Sequence, residues 1–80
     1  MVKHFSCVEN LLDFINNNGN MAVVVEINNH EYWLQKQDEE IKLEVYDDNH
    51  VMEDNDICSY DMIEGIFDEV KDGYFEVVEI

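Results

Sequence analysis

The sequence predicts an α+β fold: a small antiparallel sheet with two helices packed on one face, in the order αβββαβ. Three observations lead there. A capped amphipathic segment lies near the start of the chain. Three short β-type segments follow, separated by polar turns. A second capped, periodic segment then precedes a last apolar run. The 80 residues are read as one domain, 1–80. Such a chain buries a bit over ~60% of its unfolded surface, so its core is modest. At 46% hydrophobic it is still too apolar for a disordered acidic tail.

The first helix is "SCVENLLDFINNNGN". Ser6 and Glu9 match the capping box, in which two side chains satisfy two free backbone donors. Val8, Leu11, Leu12 and Ile15 recur at helical spacing, and Gly19 suits the left-handed position that ends a helix. "MAVVVEIN" is a β-branched strand closed by the turn signal "NNHE", and "EYWLQKQ" is the next strand. After the turn "QDEE", "IKLEVYD" alternates. Ile41, Leu43 and Val45 share one face; Lys42, Glu44 and Tyr46 share the other. One face of this meander is expected to be buried and one wet.

"DDNHVMEDND", Asp47 to Asp56, has no periodicity and is read as a loop. "SYDMIEGIFDEVKDG" is the second helix, with Ser59 as N-cap, an apolar stripe of Tyr60, Ile63, Phe67 and Val70, and Gly73 as its terminator. Gly65 inside it hints at close packing. "YFEVVEI" is the last strand, expected to join a sheet edge after a helical crossover.

The formal net charge is −16, well beyond the magnitude of about 2–8 typical of a small soluble domain. Such an excess repels itself and destabilises the compact state, so a partner with a strongly positive surface is expected. Nucleic acid and anionic membrane surfaces are disfavoured, because both would repel the chain. The charge is also uneven: residues 1–37 carry −2 and residues 38–80 carry −14. No apolar run reaches the ~18 residues of a membrane span. "MVKHFSCVEN" lacks the apolar stretch of a secretory leader, so the expected address is the cytoplasm. Cys7 and Cys58 are read as reduced and buried.

No enzyme signature stands out. Acid-rich loops invite Ca²⁺, but an EF-hand loop beginning at Asp47 or Asp54 puts Val51 or Cys58 at its fifth position, where an oxygen ligand belongs. His4, His30 and His50 lie far apart, and "HEYWL" lacks the second histidine of a zinc motif, so they read as surface histidines. No cofactor or metal is expected, and a chain this short has little room for a sugar cleft between paired carboxylates. Trp33 and Tyr46 on the wet face are either interface anchors or half-buried beneath a loop, the latter favoured.

The acids are the remaining signal. Asp61, Glu64, Asp68 and Asp72 fall at spacings of 3, 4 and 4, one stripe on a helix. Successive members rise by roughly one 5.4 Å turn, close to the step between neighbouring phosphates. With Asp38, Glu39 and Glu40 in the turn and Asp47, Asp48, Glu53, Asp54 and Asp56 in the loop, they compose a candidate partner-binding surface. The loop set is favoured for contact, and Asp61, Glu64 and Asp68 for steering. The alternatives are a solvated helix face and incidental charge.

In layout the chain resembles the small acidic phage-encoded anti-CRISPR proteins. The resemblance rests on the N-terminal helix, a meander whose hairpin reads "VEINNHEYWLQ", and acidic segments gathered in the C-terminal half. It implies an inhibitor, monomeric or a small homo-oligomer, that mimics phosphate charge in the basic groove of a CRISPR-Cas effector nuclease. Such nucleases hold duplexes in positively charged channels. Two other readings fit the charge: an immunity protein or antitoxin that neutralises a basic toxin nuclease, and a cytosolic regulatory binding module.

Overall fold

A computed structural model describes residues 2–70 and 72–79. Eight elements follow in the order βαββββαβ: β1 (Val2–Phe5), α1 (Val8–Asn17), β2 (Met21–Ile27), β3 (His30–Gln37), β4 (Glu40–Tyr46), β5 (Met52–Cys58), α2 (Tyr60–Ile66) and β6 (Gly73–Glu79). The six strands form one sheet in the order β1-β6-β2-β3-β4-β5, with every neighbouring pair antiparallel. The expected α+β class holds, but the order αβββαβ does not. Two strands, β1 and β5, are additional.

The corrections have local causes. β5 occupies most of the stretch expected to be a loop; only Asp47–Val51 turns the chain. β6 does not end the sheet, because β1 pairs along its outer side. α2 stops at Ile66, and Phe67 is already its C-cap. Gly73 opens β6, and Gly19 also lacks a positive φ, so neither glycine is a left-handed helix terminator. Lys71, expected within the second helix, lies outside the described residues, as does Ile80 of the last strand. The capping box also fails: Cys7 is the N-cap of α1 and makes no side-chain cap bond. Ser6 instead donates to Asn10 Oδ1 from both Oγ, at 2.8 Å, and backbone N. Ser59 does cap α2, accepting from Met62 N at 3.2 Å.

Both helices lie on one face. α1 buries Leu11, Leu12 and Ile15; α2 and its C-cap bury Ile63 and Phe67. They close over Phe5, Val23, Val25, Leu34, Ile41, Leu43, Cys58 and Phe75 of the sheet. Burying a Leu, Ile or Phe side chain stabilises by about 1.5–3 kcal/mol. This cluster is therefore what offsets the self-repulsion of the surface. Phe67 meets Tyr32 edge to face, with centroids 5.5 Å apart. The hairpin turns fix the register. Asn28 and Asn29, with φ of 52° and 67°, make the two-residue turn between β2 and β3. Asp38, with φ 55°, opens the turn into β4.

Gly65 is exposed, and nothing lies within 4 Å of where its Cβ would stand, so the close packing suggested for it is absent. Gly73 is the tight one: a Cβ there would meet the Phe5 ring at 3.2 Å. Cys58 is buried but Cys7 is exposed, against the expectation that both would be buried. Burial, then the charges of Asp56, Asp54 and Glu40, push the Cys58 thiol pKa up.

Candidate functional site: an acidic sheet edge

The expected acids fall into separate groups. Asp38 and Glu39 form the β3–β4 turn, and Glu40 begins β4. Asp47 and Asp48 lie in the β4–β5 turn, at the opposite end of β4. Between the two ends runs β5, the outermost strand, carrying Glu53, Asp54 and Asp56, all exposed. At about 3.4 Å per residue this edge is roughly 20 Å long, in a molecule whose extents are 30 × 25 × 25 Å. The carboxylates thus make a ridge along one side of the sheet and not a patch on a loop.

Register determines which way each side chain points. Asp54 pairs with Val45 and Asp56 with Leu43, both on the helix-bearing face, so the two aspartates project toward that face beside α2. The pairing slips between Val45 and Tyr46, where Met52 follows Asp54 as the partner, leaving Glu53 as the extra residue of a β-bulge. The bulge turns Glu53 onto His30, Nε2 to Oε1 at 2.7 Å. His30 Nδ1 faces the Asn28 carbonyl at 3.0 Å. Both ring nitrogens therefore face acceptors, which favours the imidazolium, since neutral imidazole carries one N–H only. The Asn28 carbonyl, outweighing the effect of partial burial, and then Glu53 and Asp47 raise the His30 pKa above 6.5.

Two acids of the ridge also hold the backbone. Asp47 Oδ1 accepts from Asn49 N at 2.8 Å and Val51 N at 2.9 Å, closing the turn. Asp56 Oδ1 accepts from Ile57 N at 2.8 Å.

The helical stripe does not form. Asp61 and Glu64 are on α2, Asp68 lies in the turn after it, and Asp72 sits next to β6 within 3.6 Å of His4. Tyr60 Oη reaches Asn16 Oδ1 at 3.3 Å, so the flank of α2 that holds Tyr60 and Glu64 faces α1. The opposite flank holds Ile66, which lines a groove with His30, Tyr32, Leu43, Val45, Glu53 and Asp54. Glu64 is thereby on the far side of the helix from the ridge.

Among the described residues no lysine pairs with an acid of the ridge. Among the described residues every ion pair involves a histidine: His4–Asp72, His30–Glu53 and His50–Glu31. Lys36 donates to the Asn16 carbonyl and Lys3 lies 5.6 Å from the centre of the Phe14 ring, both against α1. Lys42 is on the helix-free face. The histidine pairs were not legible in the sequence. His30 and Glu53 are brought together only by the register of three strands and a bulge, and no local spacing encodes that.

Trp33 and Tyr46 are half-buried, as favoured. They shelter each other, edge to face with centroids 6.1 Å apart. Among the described residues no group of three or more His, Cys, Asp or Glu could hold a metal ion, and no helix is long and apolar enough to cross a membrane. A scan against protein-family models and searches of curated proteins and of solved structures gave no match for the chain.

Proposed function

We propose that this is an acidic binding protein that seats its β5 edge in the basic groove of a nucleic-acid-handling protein and keeps phosphates out. A CRISPR-Cas effector nuclease, the target implied by the layout resemblance, is the first partner to test. One observation carries the reading: a row of exposed carboxylates, with no lysine partner among the described residues, is fixed along an extended edge strand. Side chains two apart on a strand are separated by roughly 6.8 Å, a spacing comparable to that of adjacent phosphates. A strand holds that pitch, whereas a loop would lose entropy on being ordered. The self-repulsion of the ridge weakens the fold, which suits a surface retained for binding.

The test is displacement of labelled target DNA from a guide-loaded effector nuclease. Wild-type protein should compete with DNA, and rising salt should slow association steeply. A ridge variant, Asp48→Asn with Asp54→Asn and Asp56→Asn, should dissociate faster, because close charge pairs are lost. Neutralising Asp61, Glu64 and Asp68 should mainly slow association. Glu9→Gln with Asp13→Asn on α1 is the control and should bind as wild type. A complex that holds this protein and DNA together without mutual weakening sinks the proposal. So does a control variant that binds as poorly as the ridge variant.

A further inference from the structure

The helix-free face of the sheet carries a feature that the acidic edge does not use. Trp33 stands in the middle of this face, flanked across the strands by Val24 on β2 and Glu44 on β4. Tyr46 lies diagonally beside it. A cleft of about 250 Å³ opens there, lined by Ala22, Trp33, Gln35, Lys42, Glu44 and Tyr46. Its aromatic walls are fixed by their own polar tips: Trp33 Nε1 donates to Glu31 Oε1 at 3.4 Å, and Tyr46 Oη to Glu44 Oε2 at 3.3 Å. Each of those carboxylates keeps a second oxygen outside these bonds. On the same face Glu26 lies opposite Glu31, and Glu76 stands one strand further out, opposite Val24. Burial, and after it the Glu44 charge, raise the Tyr46 pKa.

We infer that this cleft receives an arginine side chain of the basic partner protein, the guanidinium stacking on Trp33 and donating to Glu44. The inference rests on the reading that the partner is basic, and it assigns the anchor that the ridge lacks. Charge complementarity selects a cation, and the cleft's shape selects which one. A planar guanidinium can stack on an indole and offer a carboxylate two parallel donors; an ammonium does neither. Lys42 is the opposing feature. It lies at the lip of the cleft, but it also borders the hollow over Asn55, Asp56 and Ile57, so its stem can turn toward the ridge. Removing its charge should therefore tighten binding, an outcome that a purely structural role for the face would not give.

The experiment uses two capped peptides of equal length and charge, one arginine-rich and one lysine-rich, titrated into the intact protein. Trp33 is the single tryptophan, so its emission reports on the cleft directly. The arginine peptide should shift that emission saturably and bind about tenfold tighter than the lysine peptide. Glu44→Gln should remove most of that preference, and Lys42→Gln should tighten the arginine peptide several-fold. Equal affinity for the two peptides overturns the inference, as does saturable binding with no change in Trp33 emission. The ridge variant separates the two proposals. If it weakens both peptides alike and keeps the arginine preference, ridge and cleft are both supported. If it changes neither, the ridge reading fails while the cleft stands.

Discussion

Replacing Asp54 and Asp56 by asparagine should make the protein more stable in low salt while weakening its binding. The Asp54–Asp56 repulsion itself contributes little. Residues two apart stay close in the unfolded chain as well, so that term largely cancels. Folding adds the repulsion between strands. Glu40 begins the neighbouring strand, and its charge acts with those of Asp54 and Asp56 on the Cys58 thiol. Glu44 faces Asn55, the residue between the two aspartates. A non-local pair taken at about 8 Å costs about 0.5 kcal/mol in water without screening. In physiological salt, where the Debye length is also about 8 Å, it costs about 0.2 kcal/mol. Glu44 makes two such pairs, one with each aspartate, and Glu40 lies further along the strand, so the total is about 1 kcal/mol at low ionic strength. A domain of this size gains about 4–8 °C in Tm per kcal/mol, so the double variant should melt about 4–8 °C higher in dilute buffer. Near 1 M salt, where the Debye length is about 3 Å, the difference should vanish. The hydrogen bond from Ile57 N survives, because an asparagine carbonyl accepts as the Asp56 carboxylate does. Thermal melts followed by circular dichroism at the two salt levels decide it. A lower Tm in dilute buffer refutes the reasoning, and so does a rise of equal size at high salt, which would not be electrostatic.

Three further outcomes are expected. Gly65→Ala should stabilise by about 0.5–1 kcal/mol, since the site is helical and open. Gly73→Ala should destabilise by about 1–3 kcal/mol, since the Phe5 ring must yield. Urea midpoints at unchanged slope measure both, and equal signs would contradict the packing described. The His30 pKa is raised on folding, so its contribution to stability is fully present below pH 6.5 and is lost as pH rises through the folded value. Glu53→Gln should lower that folded pKa, followed by NMR of the ring protons, and should reduce the pH-dependent part of the stability; an unmoved titration would remove the pair from the account. Finally, a thiol-alkylating reagent near neutral pH should modify exposed Cys7 and spare buried Cys58 until the protein unfolds. Mass spectrometry showing Cys58 labelled at the rate of Cys7 in the native protein would count against the described core.

What the sequence made legible was what burial imposes. Leu11, Leu12 and Ile15 announce α1, and the alternation of Ile41, Leu43 and Val45 marks the buried face of β4. What it hid was held by tertiary pairing. β1 is four residues with only Phe5 buried, too short to carry a period. β5 reads "MEDNDIC", rich in the Asp, Asn and Glu that strands disfavour, and only Cys58 is buried. It is extended because β4 offers partners to every residue but Glu53, and this override of local preference leaves no mark in the residues themselves. The acids were therefore found by charge, but their geometry was not: a loop was expected where a rigid edge exists, and a helical stripe where α2 has already ended.

That edge also bears on why the charge is there. An exposed edge strand invites pairing with another chain, and charged side chains are the usual protection. Protection alone explains one or two acids on β5. It does not explain Asp38, Glu39 and Glu40 at one end of the hairpin, Asp47 and Asp48 at the other, or the scarcity of lysines between them. Asp47 is needed for its turn, but asparagine would close that turn with the same acceptor. Asp56 could likewise be asparagine. The chain uses asparagine freely elsewhere, as at Asn28 and Asn29, so the carboxylates are not forced by backbone geometry. Their cost is electrostatic, and the backbone geometry does not require the charge, although the bonds to Asp47 and Asp56 are stronger for it. A basic partner is the reading in which that cost is recovered, and the salt-dependent melt and the displacement assay examine the two halves of the exchange.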